Sequence, residues 1–191
     1  GMSNMLEIQD AVLAMCESGL STQEITVLHC TSCYPCPYDQ VNLRAMTTLQ
    51  DTLNVKVGYS DHTLGYEVAT AAVALGASTL EKHITLDRSL SGPDHQASAD
   101  PREFADYVSA VRRVEQALGR PHKTPQPCEK EARTLVRKSI VTARRIQKGE
   151  AFSQHNLTTK RPGTGLSPMN WDDVMGRLAT RDYQENEILD A

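Results

Sequence analysis

The chain has 191 residues, which is enough for one or two domains. Its formal net charge of -4 gives no electrostatic reason to expect nucleic acid as a partner, although short basic clusters are compatible with an anionic substrate. No apolar run approaches the length of about 18 residues that a membrane-spanning helix needs, so no membrane span is expected. Five cysteines are an odd number, which favours a reduced, cytoplasmic setting over a disulfide framework.

The first predicted element is a helix over residues 5–18, where apolar side chains recur at helical spacing. Asn4 can cap it, Glu7 completes a capping box, and Gly19 ends it. The residues before Asn4 look like a loop that leads into a helix and not like a translation start. We therefore expect the chain to be a fragment of something longer.

Three strand–helix units are predicted to follow. Each strand is a short run of apolar and β-branched residues, and each helix has apolar side chains on one face; the strands are expected at residues 25–30, 56–60 and 79–84, and the helices at residues 42–53, 64–75 and 101–118. The first strand is expected to be buried. Asp100 is expected to cap the last helix and Gly119 to end it.

This alternation predicts an α/β fold with parallel β-α-β units. Three units cannot close an eight-stranded barrel, so they indicate either the last part of such a barrel or a small open sheet. A partial barrel would expose strand edges unless a missing partner covers them. We expect residues 1–119 to form this domain.

The pattern changes after residue 119. Proline-containing polar sequence marks a linker, which we place at residues 120–136. Beyond it the segments are short and predict a small, mainly β module over residues 137–191. Its expected parts are a strand at 139–143, a turn at 147–150, a short helix at 169–175 and a strand-like segment at 180–183.

Two histidines are placed where chemistry is expected. His62 and His83 each end a predicted strand, and the carboxyl ends of neighbouring parallel strands point into one cleft. The carboxylates of Asp61, Glu81 and Asp94 are expected nearby. The pair therefore predicts a divalent metal site, although a lone histidine at a strand end is more often structural. For His29, on the first strand, a buried, hydrogen-bonded role is at least as well supported as one facing the barrel interior.

Other polar residues near these strand ends could bind a ligand. Ser60 and Lys82 could contact an anionic group, and Ser32 and Tyr34 could hydrogen-bond a ligand in the cleft. Asp94 suits a sugar hydroxyl, but a turn aspartate is the default interpretation. On the second module, Arg161 lies on a glycine-flanked turn and is either a ligand-binding cation or a solvated surface residue.

Three cysteines form a C-x-x-C-x-x-C run: Cys30, Cys33 and Cys36. Such a run is compatible with an iron–sulfur or zinc protein. Structural cysteines are the favoured interpretation, because the first belongs to a strand and no fourth thiol lies close in the sequence.

Several motifs together resemble the sialic acid synthase (N-acetylneuraminate synthase) family. In chain order they are LHCTSCYP at 28–35, VNLR at 41–44, GYSDHT at 58–63, EKHITLD at 81–87, GPDH at 92–95, RKS at 137–139 and KRPGTG at 160–165. The resemblance implies the carboxyl-terminal part of a (β/α)8 TIM barrel followed by a small SAF (antifreeze-like, β-clip) domain.

The resemblance also implies an activity. The family is a transferase family that condenses phosphoenolpyruvate with N-acetylmannosamine, releases phosphate by C–O cleavage and forms N-acetylneuraminate. It uses a divalent metal, typically Mn2+, with Mg2+ and Co2+ as alternatives. By this resemblance His62 and His83 are metal ligands at the catalytic centre. Tyr34 and Ser60 match positions that contact phosphoenolpyruvate.

Three further roles follow from the same resemblance. Asp94 matches a residue that holds the amino sugar, and Ser32 stands where an asparagine often stands in the family. Arg161 matches an arginine that reaches into the barrel of a partner subunit, which implies a domain-swapped homodimer. The lysines and glutamates of the family's amino-terminal half have no counterpart here, so we expect this chain to be inactive alone.

Other functions remain open at this stage. Synthases of legionaminic or pseudaminic acid share these motifs and differ in the sugar pocket. An alternative of another class is a non-catalytic binding module, in which a SAF domain carries a short piece of barrel.

Overall fold

A computed structural model describes residues 1–189, and the chain divides into two compact units between Arg120 and Pro121. The helices of the first unit are α1 (Met5–Glu17), α2 (Arg44–Leu53), α3 (Glu67–Ala74) and α4 (Pro101–Leu118). Its strands are β1 (Thr26–Cys30), β2 (Lys56–Asp61) and β3 (Leu80–Lys82). No helix within the described residues is both long and apolar enough to cross a membrane.

The three strands form one parallel sheet in the order β1-β2-β3. The register pairs His29 with Tyr59 on one side of β2, and Asp61 with Lys82 on the other. The predicted parallel β-α-β units are therefore confirmed. Because β2 lies in the middle, almost all of it is buried, whereas β1 and β3 are the edge strands of this sheet.

The prediction that β1 is buried was wrong. Its first residue is exposed and the others are only partly buried. The reason is tertiary: within the described residues, β1 has a strand neighbour on one side alone. An apolar run indicates that a strand tends to be buried, but it does not show whether a neighbouring strand is present to cover it.

The predicted helix caps are confirmed. Asn4 and Glu7 form a capping box on α1, and Asp100 does the same on α4 with Glu103. Helix α3 begins at Glu67, three residues later than predicted. The cause is Asp61, whose carboxylate accepts the Thr63 backbone N–H at 2.8 Å and so holds the chain in a turn after β2.

Two apolar residues that were expected on buried helix faces lie in solvent. Met15 of α1 is 46% exposed and Leu118 of α4 is 52% exposed. The core of this unit is built from residues nearer the sheet. One cluster lies between the sheet and α2 and includes Met46, Leu49 and Tyr59, and another joins α3 to α4.

The second unit contains α5 (Lys130–Val136), β4 (Ser139–Thr142), β5 (Leu157–Lys160) and α6 (Trp171–Val174). Strands β4 and β5 pair antiparallel. Helix α5 lies in the segment that was expected to be a linker. The strand-like segment at 180–183 is not a strand, because only an isolated bridge joins Tyr183 to Ile146 there.

Candidate active site

The rings of His62 and His83 lie side by side at the carboxyl ends of β2 and β3. Their ring centroids are 5.1 Å apart. The parallel register explains this, because Asp61 pairs with Lys82 and the two histidines are the next residues of each strand. The predicted juxtaposition of the two histidines is therefore present in the structure.

The surroundings of His62 fit a neutral metal ligand. Its Nδ1 lies 3.1 Å from the Thr31 carbonyl oxygen. That oxygen can only accept, so Nδ1 carries the proton and Nε2 keeps a free lone pair. Burial lowers the pKa of His62, and the nearby His83 lowers it further, although the Thr31 carbonyl opposes the shift.

Tyr34 packs against both histidines. Its ring centroid lies 4.3 Å from that of His62 and 5.6 Å from that of His83. The loop after β1 thus places an aromatic ring against the two histidines, while about half of the Tyr34 surface stays exposed.

Ser60 and Glu81 lie opposite each other in the sheet, each two residues before one of the histidines. The Ser60 hydroxyl donates to the Glu81 carboxylate at 2.6 Å. Since side chains alternate along a strand, both residues share the face of the histidines. Glu81 was expected only as a nearby carboxylate, and its strand parity relative to His83 was the signal that could have placed it in the site.

Asp94 and Ser32 lie farther out. An Asp94 carboxylate oxygen is 4.0 Å from His83 Nδ1, in a mostly exposed loop. Ser32 is exposed and directly follows Thr31, the residue that holds His62. The sheet therefore brings His62, His83, Tyr34 and Ser60 together, with Asp94 at the rim.

The prediction that Lys82 could contact an anionic ligand was wrong. Its side chain is only 5% exposed, and its ammonium group lies 3.2 Å from the buried Asp61 carboxylate. Alternation along β3 explains the error: Lys82 points to the side of the sheet opposite His83.

The remaining histidine and cysteine candidates have structural contacts. His29 Nε2 lies 2.7 Å from the Val41 carbonyl oxygen, which matches the hydrogen-bonded part of that alternative, whereas the residue itself is only partly buried. Burial raises the pKa of the Cys36 thiol and so keeps it protonated. Within residues 1–189, no group of three or more histidine, cysteine or acidic side chains is arranged to hold a metal ion. An ion at the histidine pair would thus need further ligands, such as water or substrate oxygens.

Arg161 lies in the second unit, on a loop that is fixed to its surroundings. The buried Ser139 hydroxyl donates to the Pro162 carbonyl at 2.7 Å and accepts the Gly165 N–H at 2.9 Å. A Cβ on Gly163 would lie 2.6 Å from Cβ of Arg137, so only glycine fits this close approach. The loop thus presents an exposed arginine on a rigid support.

Comparison with known proteins gives two domain matches. Residues 1–123 match the NeuB family, and residues 137–191 match the SAF domain. The chain is 46% identical to N,N'-diacetyllegionaminic acid synthase of Campylobacter jejuni over 99% of its own length and 57% of that protein. It is 44% identical to human N-acetylneuraminate-9-phosphate synthase over 85% of its length and 46% of that protein.

A solved structure shows the same fold. Spore coat polysaccharide biosynthesis protein E of Chromobacterium violaceum superposes with a TM-score of 0.74 and 24% identity. The match covers 100% of this chain and 57% of that one. The chain therefore spans about half the length of the relatives it matches.

Proposed function

The chain belongs to the NeuB family and carries a SAF domain, and from this premise we propose that it is part of a synthase of sialic-acid-like sugar acids. The reaction would join phosphoenolpyruvate to an N-acetylated amino sugar and release phosphate. The observation that carries the proposal is the pair of histidine rings, 5.1 Å apart, walled by Tyr34 and flanked by Ser60.

For the fold we propose the carboxyl-terminal part of a (β/α)8 barrel at residues 1–119, a linker at 120–136 and the SAF domain at 137–191. The parallel sheet, with helices between successive strands and two edge strands, supports this assignment. The match to about half of each relative supports it too.

His62 and His83 would hold a divalent metal, Mn2+ in this proposal, with Mg2+ or Co2+ as alternatives. The donor set fits, because His62 is kept neutral with Nε2 free and two imidazoles suit such ions. When bound, the ion would supply Lewis acidity to a carbonyl group of the sugar. The ring of Tyr34 would shield the histidines from solvent on one side.

The substrates would lie in front of this pair. Ser60 and Tyr34 would contact phosphoenolpyruvate. The Ser60 hydroxyl, which donates its one proton to Glu81 in this structure, would turn that proton toward the substrate. Asp94, at the rim of the site, would accept hydrogen bonds from hydroxyls of the amino sugar, and Ser32 would line the same opening. These contacts would fix the distance between the two reacting carbons, which is where much of the rate gain of a condensation originates.

Arg161 would complete the site from a second subunit, in a domain-swapped homodimer. Its support is the fixed loop, whose backbone is already held in place on both sides of Gly163. The arginine would recognise the N-acetyl side of the sugar.

The product is the open part of the proposal. The motifs favour N-acetylneuraminate, but the identity to the legionaminic acid synthase supports that alternative at least as well. The decisive test is release of phosphate from phosphoenolpyruvate by the protein restored to the length of its relatives, with Mn2+ and each amino sugar in turn.

Variants make this assay specific. We expect His62→Ala and His83→Ala to lose about 10³-fold or more in rate, since the loss of a Lewis acid removes several kcal/mol of stabilisation. The exposed His155→Ala in the second unit is the matched control and should keep full activity. Full activity in both site variants would refute the assignment, and turnover with only one sugar would name the product.

A further inference from the structure

A buried ion pair lies directly behind the two histidines. Asp61 and Lys82 precede His62 and His83 in their strands and are opposite each other in the sheet register. Their side chains are 0% and 5% exposed, and the ammonium nitrogen lies 3.2 Å from the carboxylate. The pair faces away from the site, so it cannot contact a ligand in front of the histidines.

Both members of the ion pair also form hydrogen bonds with Thr63, the residue that follows His62. The Lys82 ammonium group donates a hydrogen bond to the Thr63 carbonyl oxygen. The second oxygen of Asp61 accepts the Thr63 backbone N–H at 2.8 Å and its hydroxyl at 2.7 Å. His62 is thus bracketed by two residues that are both bonded to Lys82, the immediate neighbour of His83.

Stability alone is a poor explanation for this arrangement. Well-packed apolar side chains usually stabilise a core as well as a buried ion pair does, because both charges lose their hydration. The setting is strongly desolvated: both side chains of the pair are almost completely buried, and the ring of Tyr107 lies 5.5 Å from the ammonium nitrogen. A fixed register is the better-attested benefit of such pairs.

We propose that Asp61 and Lys82 are positioning residues, which lock β2 and β3 in the register that sets the spacing of His62 and His83 for one divalent ion. This inference rests on the proposed metal-binding role of the histidines. The lock acts through four contacts: the ion pair itself, the Lys82 hydrogen bond to the Thr63 carbonyl, and the two hydrogen bonds that Thr63 donates to Asp61.

The test measures Mn2+ affinity and metal-free melting temperature in the protein restored to the length of its relatives. The variants are Lys82→Met, Asp61→Asn and the double variant. Lys56→Met is the matched control, because this exposed lysine lies at the other end of β2. His62→Ala is included to test the metal pair independently.

We expect each single variant to bind Mn2+ at least about 10-fold more weakly, the usual effect of losing an orienting group behind a metal ligand. Each should also melt earlier, because one charge is left buried without a partner. The double variant should regain most of the melting temperature but not the affinity, since the bond from Lys82 to Thr63 is still missing. Lys56→Met should match the wild type.

Two results would overturn the inference: wild-type affinity in the double variant, or affinity that simply follows melting temperature across the set. Either would mean that the pair acts on stability alone. If His62→Ala leaves Mn2+ affinity unchanged, the proposed metal pair itself is wrong, and the positioning role falls with it. The two failures are told apart by which variant produces them.

Discussion

The two compact units differ in how completely each buries its own apolar surface. In the second unit, every residue of β4 is buried, and Ile140, Ile146 and Phe152 belong to one core cluster. In the first unit, the apolar residues divide among separate clusters, and β1 stays partly exposed. The second unit thus has one continuous core, whereas the first has a sheet that ends in two edge strands.

The candidate site residues are divided between these two units. The histidine pair, Tyr34 and Ser60 all belong to the unit whose sheet, among the described residues, ends in two edge strands. Arg161 belongs to the second unit, and hydrogen bonds from within that unit fix its loop. The next four predictions test this contrast, from the largest effect to the smallest.

The largest effect should appear when the two units are produced separately. Residues 121–191 should give a cooperative thermal melt, because their core is continuous. Residues 1–120 should aggregate or bind a hydrophobic dye, because open strand edges and apolar surface stay exposed. Circular dichroism melts and dye fluorescence measure both. If residues 1–120 melted cooperatively as a monomer, the expected difference in independent folding between the two units would be contradicted.

Within the second unit, Ile140→Ala should lower the free energy of unfolding by about 2–5 kcal/mol, because a fully buried side chain leaves a cavity. Leu178→Ala is the matched control. That leucine is 62% exposed, so its removal should cost less than about 0.5 kcal/mol. Urea unfolding of residues 121–191 measures both. Similar losses in the two variants would mean that this core is not closely packed.

Arg161→Ala should lower kcat/KM for the amino sugar by about 10- to 100-fold, the usual range for losing one charged hydrogen bond. Its melting temperature should not change, since the guanidinium is exposed. The exposed Arg177→Ala in the same unit is the control and should keep full activity. A drop in melting temperature as large as the drop in activity would make Arg161 structural.

The smallest effect concerns Glu150 of the second unit. Its hydrogen bond from Arg144 lowers its pKa most, and the Gln147 N–H and Asn156 add to this. A lowered pKa means that its stabilisation is present above its ordinary value of 4.5 and is lost as pH falls through the lowered one. Between pH 7 and acid pH, the melting temperature of Glu150→Gln should therefore change less than that of the wild type. An unchanged pH dependence would contradict this.

Local signals predicted much of this fold. Both helix caps, the order of the elements in the first unit and its parallel sheet were readable from the sequence, because caps and periodicity act over a few residues. The pairing of the two histidines followed from that topology.

Features that depend on distant contacts were not predicted. The exposure of β1 depends on a neighbouring strand, and helix α5 was hidden by the prolines before it. The ion pair of Lys82 depends on which face of β3 its side chain occupies; Lys82 is adjacent to His83 in the sequence and so lies on the opposite face. The contact of Tyr34 with both rings depends on how its loop folds back.

The central claim is that His62 and His83 bind one divalent ion together. The most direct measurement is a crystal structure of the protein restored to the length of its relatives, grown with Mn2+ and recorded at the manganese absorption edge. The account predicts one anomalous peak between the two rings, at coordination distance from a nitrogen of each. No peak there, or a peak bound to only one of the two rings, would contradict it.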